Sequence, residues 1–283
     1  MIICIFICIL SIQIVNSNNI LFNFGYSLEP KNKCDNQTFL VIYVHSSPQN
    51  FKNRLKIRET WGNLLYLRQN KIRLFFTCGL SEQNKINDLL KLESATYNDI
   101  IQANFTDSYH NLTVKGVTSL KWIAASCQNV PYVLKVDDDV YVKIKLLTKH
   151  LKIRLDEEKE EKSSILCYVH NSMKVIRDKN SKWYVSLTEY PNRYYPKYCS
   201  GSAFVMTKDA VQKIAKNSQR VKFFWIDDYF LTGRVARSFR INLIEFNSVY
   251  ILKTDKSKDA ISKKEENFLF AHFGHRKHSL DYF

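Results

Sequence analysis

The sequence is poor in the residues that interrupt secondary structure. Seven Gly and five Pro among 283 residues exclude collagen-like, low-complexity and loop-dominated architectures. There is no Cys-x-x-Cys spacing, which disfavours zinc. No internal repeat and no clear inter-domain linker occur, so one large α/β domain is the simplest organisation. Only one long apolar run is present, at the N-terminus, which excludes a multi-span membrane protein. Hydrophobic residues at 45% and charged residues at 24% exclude a disordered chain.

Positive charge is abundant. Forty-two Lys and Arg against 27 Asp and Glu give a net charge of +15, which points to an anionic partner. The chain is also rich in Ile, Asn, Lys, Tyr and Phe, a mix that coding bias alone produces, and no basic stripe interleaved with aromatics supports a nucleic-acid partner.

Ile2 to Val15 carry no charge. As a helix they span ~21 Å, short of a ~30 Å hydrocarbon core, so residues 1–17 are expected to be a signal peptide or a short signal-anchor. No Lys or Arg precedes Lys31, so charge does not orient the segment. Residues 18–37 are expected to form a stem, and 38–283 the folded domain. Sequons at Asn36, Asn104 and Asn111 agree with a secretory route. Beyond Cys4 and Cys8 five cysteines remain, Cys34, Cys78, Cys127, Cys167 and Cys199. One or two disulfides and at least one unpaired thiol are expected.

From Thr38 onward apolar runs alternate with helical stretches. Strands are predicted at 39–44, 72–78, 99–102, 132–136, 163–168, 183–187 and 203–206. Helices are predicted at 51–69, at 81–93 with Ser81 as N-cap, at 112–127, at 208–216 and from 229 to 237. Alternation of this kind argues for an open, largely parallel sheet with helices on both faces.

Four constellations could carry chemistry. Asp137-Asp138-Asp139 ends an apolar strand, where ligands bind in such sheets. If the chain stays extended, Asp137 and Asp139 share a face and suit a hard divalent ion, Mn²⁺ or Mg²⁺. Asp227-Asp228 read either as an N-cap with a first-turn acid or as a general base beside an aromatic pocket. Arg54 and Arg58, four apart on one helix, together with Lys115 could hold a diphosphate, or form a solvated basic face. Among the late histidines His272, His275 and His278, His272 in an apolar run is a candidate third metal ligand.

These segments together resemble the β-1,3-galactosyltransferase family, which includes β-1,3-N-acetylglucosaminyltransferases. The matching stretches are Arg54 to Gly62 (RLKIRETWG), Asp99 to Lys115, Leu120 to Cys127, Tyr132 to Val142 (YVLKVDDDVYV), Tyr198 to Met206 and Ile226 to Gly233 (IDDYFLTG). They occur in family order. The resemblance implies a single GT-A domain, a Rossmann-like open mixed sheet with helices on both faces. It implies an inverting hexosyltransferase that moves galactose or N-acetylglucosamine from a UDP-sugar to a glycan or glycoprotein acceptor hydroxyl in β-1,3 linkage. Golgi lumenal placement, a membrane tie through the N-terminal segment and Mn²⁺ (or Mg²⁺) belong to the same expectation.

Residue by residue, the resemblance puts Asp137 to Asp139 in the family's metal and nucleotide motif, with Asp139 the candidate for direct metal contact; His272 stays the candidate third ligand from its own segment. The resemblance puts Arg54, Arg58, Glu59, Lys115, Asp137 and Asp138 on the donor side. Asp228 becomes the base, with Asp227 beside it. The chain departs from the family pattern at Asp227 (usually Glu), Lys143 (usually Asn), Gly116 (commonly Thr) and Tyr229 (a small aliphatic). An inactive sugar-binding relative of the same fold is the competing reading, and the intact acidic clusters argue against it.

Overall fold

The computed structural model describes residues 22–157, 163–252 and 268–272. The expectations for residues 1–17 and for His275 and His278 lie outside the described residues. Among the described residues no helix is long and apolar enough to cross a membrane.

Four strands form the parallel centre: β2 (Leu40–His45), β3 (Ile72–Leu80), β4 (Ile100–Thr106) and β5 (Tyr132–Asp137). They stand in the order β4-β3-β2-β5. Every residue of β2 is buried, which explains its unbroken apolar run: a strand covered on both faces has no polar side to show. Beyond β5 the sheet turns mixed. Strand β10 (Tyr198–Thr207) runs antiparallel to β5 and to β7 (Ser164–His170), and β11 (Asn242–Glu245) lies parallel to β7. This is the GT-A layout that the resemblance implies.

Alternate side chains of the sheet feed two cores. On one face Val41, Tyr43, Phe75, Val133 and Phe204 meet helices α4 (Leu112–Ser126) and α6 (Lys208–Asn217) through Val117, Leu120, Trp122 and Ile214. On the other, Leu40, Ile42, Leu74, Phe76 and Leu134 meet α1 (Phe51–Glu59), α3 (Asn84–Tyr97) and α5 (Ile144–Glu157) through Ile57, Leu90, Leu147 and Leu151.

Several predicted elements differ. The helix expected over 51–69 is two helices, α1 and α2 (Leu64–Gln69). The chain reverses at Gly62, whose N–H bonds the Ile57 carbonyl and where a Cβ would lie 2.8 Å from that oxygen. Helix α3 is capped at Gln83 rather than Ser81, because the Ser81 hydroxyl is spent on the Gln83 N–H in a preceding turn. Residues 183–187 form turns rather than a strand.

The expected stem is, over residues 22–37, part of the domain. Strand β1 (Tyr26–Leu28) pairs with β4, Phe22 packs on Phe223 and Phe230, and Cys34 is bonded to Cys127. A second disulfide joins Cys167 to Cys199, and Cys78 is the buried unpaired thiol. The larger bridge spans 93 residues, and cross-links of that span stabilise by about 2–5 kcal/mol. A Cys34→Ser/Cys127→Ser variant should lose stability of that order in chemical denaturation while the Cys167–Cys199 bridge still forms; an unchanged midpoint would show that the bridge constrains nothing.

Candidate active site

The site sits at the carboxyl ends of β2 and β5. Strand β5 stops at Asp137, and Asp138 and Asp139 make the turn into β6 (Val140–Val142). The turn breaks the extended alternation, so the three carboxylates go to three different partners. Asp137 turns back to Lys135, whose ammonium lies 2.5 Å away. Asp138 is buried and accepts from Ser46 Oγ (2.7 Å), Asn50 Nδ2 (2.9 Å) and Asn53 Nδ2 (3.2 Å). Asp139 faces His272, with Nε2 3.2 Å from Oδ2.

His272 arrives through β13 (Phe270–His272), which pairs antiparallel with β6 and sets His272 against Val140. The 3.2 Å separation is a hydrogen-bond distance, and a carboxylate and an imidazole this close could both turn to a divalent ion, which usually takes one or two protein carboxylates and completes its shell from phosphate oxygens and water. Asp139 and His272 therefore could hold Mn²⁺ or Mg²⁺. Asp137 is committed to Lys135, and among the described residues no group of three or more His, Cys, Asp or Glu is arranged to hold a metal.

The donor-side basic residues correct the expectation. Arg54 is 0% exposed. Its guanidinium donates to both oxygens of Glu93, to Ser46 Oγ and to the Ser47 and Pro48 carbonyls. Arg58 is forked onto Asp99 (2.9 and 2.8 Å) and Glu93 (2.7 Å) and stacks on Phe76 and Tyr97. Glu59 is exposed and borders a cavity with Asn98 and Ile72, at the opposite end of the strands. Lys115 is buried, bonding the Ser46 carbonyl (2.8 Å) and Asp107. Arg54 and Lys115 thus brace the Ser46–Pro48 loop, and that loop holds Asp138. They shape the site from behind, and Arg58 locks Glu93 for Arg54.

The second acidic cluster converges on the first through Lys135. Besides Asp137, the Lys135 ammonium bonds the Gly201 carbonyl. A Cβ on Gly201 would lie 3.2 Å from Asp228 Oδ2, so the bare glycine lets β10 pass against the carboxylate. Burial disfavours the Lys135 charge, but Asp137, Asp227 and Asp228 outweigh it and hold its pKa above the ordinary lysine value. Burial and the adjacent Asp227 carboxylate push Asp228 up to about 7, against a backbone N–H from Tyr229 (2.6 Å to Oδ1) that favours its charge. Burial pushes Asp137 up to about 6, with Lys135 opposing and Asp139 reinforcing the shift.

Asp227 and Asp228 form the floor of a cleft of about 290 Å³. Its walls include Tyr109, Trp183, Tyr198 and Trp225, flat faces of the kind that stack on sugar rings. Trp183 stands here on the turn misread as a strand. Tyr229 is sunk behind the cleft among Tyr190, Tyr195 and Tyr198. Gly233 admits it, since a Cβ there would lie 2.6 Å from its ring.

Sequence reasoning missed Lys135, Ser46, Asn50, Asn53 and Gly201. A lysine inside an otherwise apolar strand was the available signal for Lys135. The others are recognisable only once β2 and β5 are side by side.

The sheet thus carries two acidic segments joined through Lys135 at its carboxyl edge. The sequence profile of the family described as Galactosyltransferase matches residues 52–247, and the chain belongs to that family. Mouse beta-1,3-galactosyltransferase 1 is 34% identical over 211 residues, which cover 74% of this chain and 64% of that protein. Lactosylceramide 1,3-N-acetyl-beta-D-glucosaminyltransferase B of Danio rerio is 36% identical over 230 residues, covering 77% of this chain and 59% of that protein. The chain therefore spans about 60% of the length of these relatives. Among solved structures, a glycosyltransferase involved in the glycosylation of the major capsid of PBCV-1 is 12% identical with a TM-score of 0.49, covering 86% of this chain and 96% of that chain.

The raised Asp228 pKa has a consequence for stability. A folded-state value near 7 against an unfolded value near 4 means that folding binds a proton between those pH values. The buried charge then costs stability progressively from about pH 4 to pH 7, and fully above. Asp228→Asn should therefore gain in Tm relative to the wild type as the pH rises from 5 to 8. A Tm difference flat across that window would contradict the burial account.

Proposed function

We propose that the chain is an inverting, divalent-metal-dependent hexosyltransferase that moves galactose or N-acetylglucosamine from a UDP-sugar to a glycan or glycoprotein hydroxyl, in β-1,3 linkage. We place it in the Golgi lumen, tied to the membrane by the N-terminal apolar segment where that is retained. The observation that carries the reading is that Lys135 joins the end of the Asp137–Asp139 turn to the Asp227-Asp228 pair, which lines the cleft. Family membership supports the reaction class. The sequons and the two disulfides support an oxidising compartment.

The chemistry follows from the side chains. Asp228, on the cleft floor, takes the proton of the acceptor hydroxyl as that oxygen attacks the anomeric carbon. One carboxylate suffices, since inversion is a single displacement. A pKa near the working pH gives Asp228 both an ionised population and enough basicity to accept the proton. Trp183, Tyr109 and Trp225 hold the acceptor ring over it. Asp139 and His272 would hold a divalent cation, which when bound would supply positive charge to offset the charge on the departing diphosphate. Asp227 keeps Asp228 basic through its own charge.

In a panel assay with UDP-galactose and UDP-N-acetylglucosamine, Mn²⁺ and glycan acceptors, Asp228→Asn should lower kcat by about 10²–10⁴-fold with UDP affinity within twofold. The wild-type rate should fall as pH drops through about 7, where Asp228 takes up its proton. Near-full transfer by the variant would reject the base assignment.

Chelation should abolish transfer, and added Mn²⁺ should restore it. Asp139→Asn should raise the Mn²⁺ concentration needed for half-maximal rate by roughly tenfold or more. Full activity in chelator would remove the metal from the mechanism.

A further inference from the structure

Strand β2 is aliphatic except at its end, where Tyr43 and His45 stand two residues apart on one face. Both are buried, with ring centroids 5.5 Å apart. The Tyr43 hydroxyl and both imidazole nitrogens lie buried without a hydrogen-bond partner. Bare polar atoms inside a protein are costly and rare, and call for a reason. No step of the mechanism above uses them.

The imidazole has an orientation. On one side lies α4, where a Cβ at Gly116 would be 3.7 Å from Cε1 and 3.9 Å from Nε2. The ring packs at ordinary contact distance from that helix. On the other side Nδ1 looks toward Asp227, with Oδ2 4.0 Å away. That gap is about 1 Å longer than a hydrogen bond, and catalytic hydrogen bonds commonly tighten from such separations when substrate binds.

Burial, then the ammonium groups of Lys135 on β5 and Lys115 on α4, hold the imidazole neutral. Asp227 is its carboxylate neighbour, and the Tyr43 phenol shares its face, kept protonated by burial and by Asp227 and Asp137. A neutral imidazole carries one N–H, and the partner in reach fixes which nitrogen holds it.

We propose that His45 is a positioning residue for the acid pair: its Nδ1–H is donated to Asp227 Oδ2 and anchors that carboxylate from beneath. This rests on Asp228 acting as the base. Unconstrained neighbouring carboxylates tend to share a proton. With Asp227 anchored from below, Asp228 stays turned to Gly201 and the cleft, and its proton-accepting oxygen stays available to the acceptor.

Two measurements test it. In the first, His45→Phe keeps an aromatic ring and removes both bare nitrogens, so it should fold at least as stably as the wild type. Its kcat should fall roughly 10-fold to 100-fold, with donor and acceptor KM within about twofold, and its rate–pH profile should shift. His45→Asn, which restores an N–H near the same place, should recover part of the rate. Wild-type kcat in His45→Phe would overturn the proposal.

The second needs no turnover, so it separates failure of this inference from failure of the transferase reading. ¹⁵N NMR of histidine-labelled full-length protein should show His45 as the Nδ1–H tautomer in the wild type, moving toward Nε2–H in Asp227→Ala. An Nε2–H tautomer in both proteins would overturn the proposal even if transfer is confirmed.

Discussion

A single buried ammonium ties the site together. Lys135 stands in the middle of the sheet, 1% exposed, where an unpaired charge would be too costly to keep. It is tolerated because three carboxylates surround it, Asp137, Asp227 and Asp228. Those carboxylates are in turn tolerated because Lys135 is there. Two acidic segments 90 residues apart in the chain thereby become one electrostatic unit, in which loss of Lys135 would leave the carboxylates uncompensated.

Around that unit the structure separates bracing from chemistry. Asp138, the middle acid of the turn, is saturated by Ser46, Asn50 and Asn53. Arg54 and Lys115 fix the loop that carries Ser46. Their cost in burying charge is offset by bidentate pairing with Glu93 and by Asp107. Asp139 faces His272 and Asp228 lines the cleft. Positioning chemistry on fixed elements in this way is what small errors in geometry demand.

Much of this was legible in the sequence. The apolar runs of β2, β3 and β5 and the acids at the end of β5 placed the site at a carboxyl edge, because strands covered on both faces cannot alternate. The acid pair at 227–228 was legible for the same reason: it follows an aromatic run and opens a helical segment. Arg54 and Arg58 were legible as a pair but not as to purpose. Their i, i+4 spacing is the same whether they face solvent, a ligand or the Glu93 and Asp99 carboxylates, and only α3 packing against α1 decides. His272 depended on β13 pairing with β6 across 133 residues, and the role of residues 22–37 depended on an edge pairing to β4. Such long-range contacts leave no local pattern to read.

The way β13 docks has a consequence for how the molecule comes into being. Residues 268–272 are the last described part of the chain, and they supply the imidazole that faces Asp139. A polypeptide that stops before them would hold the cysteines of both bridges, the residues that line the cleft and the acid pair, and would lack the imidazole beside Asp139. Synthesis proceeds from the amino end, so His272 joins Asp139 only after the rest of the described chain has been made.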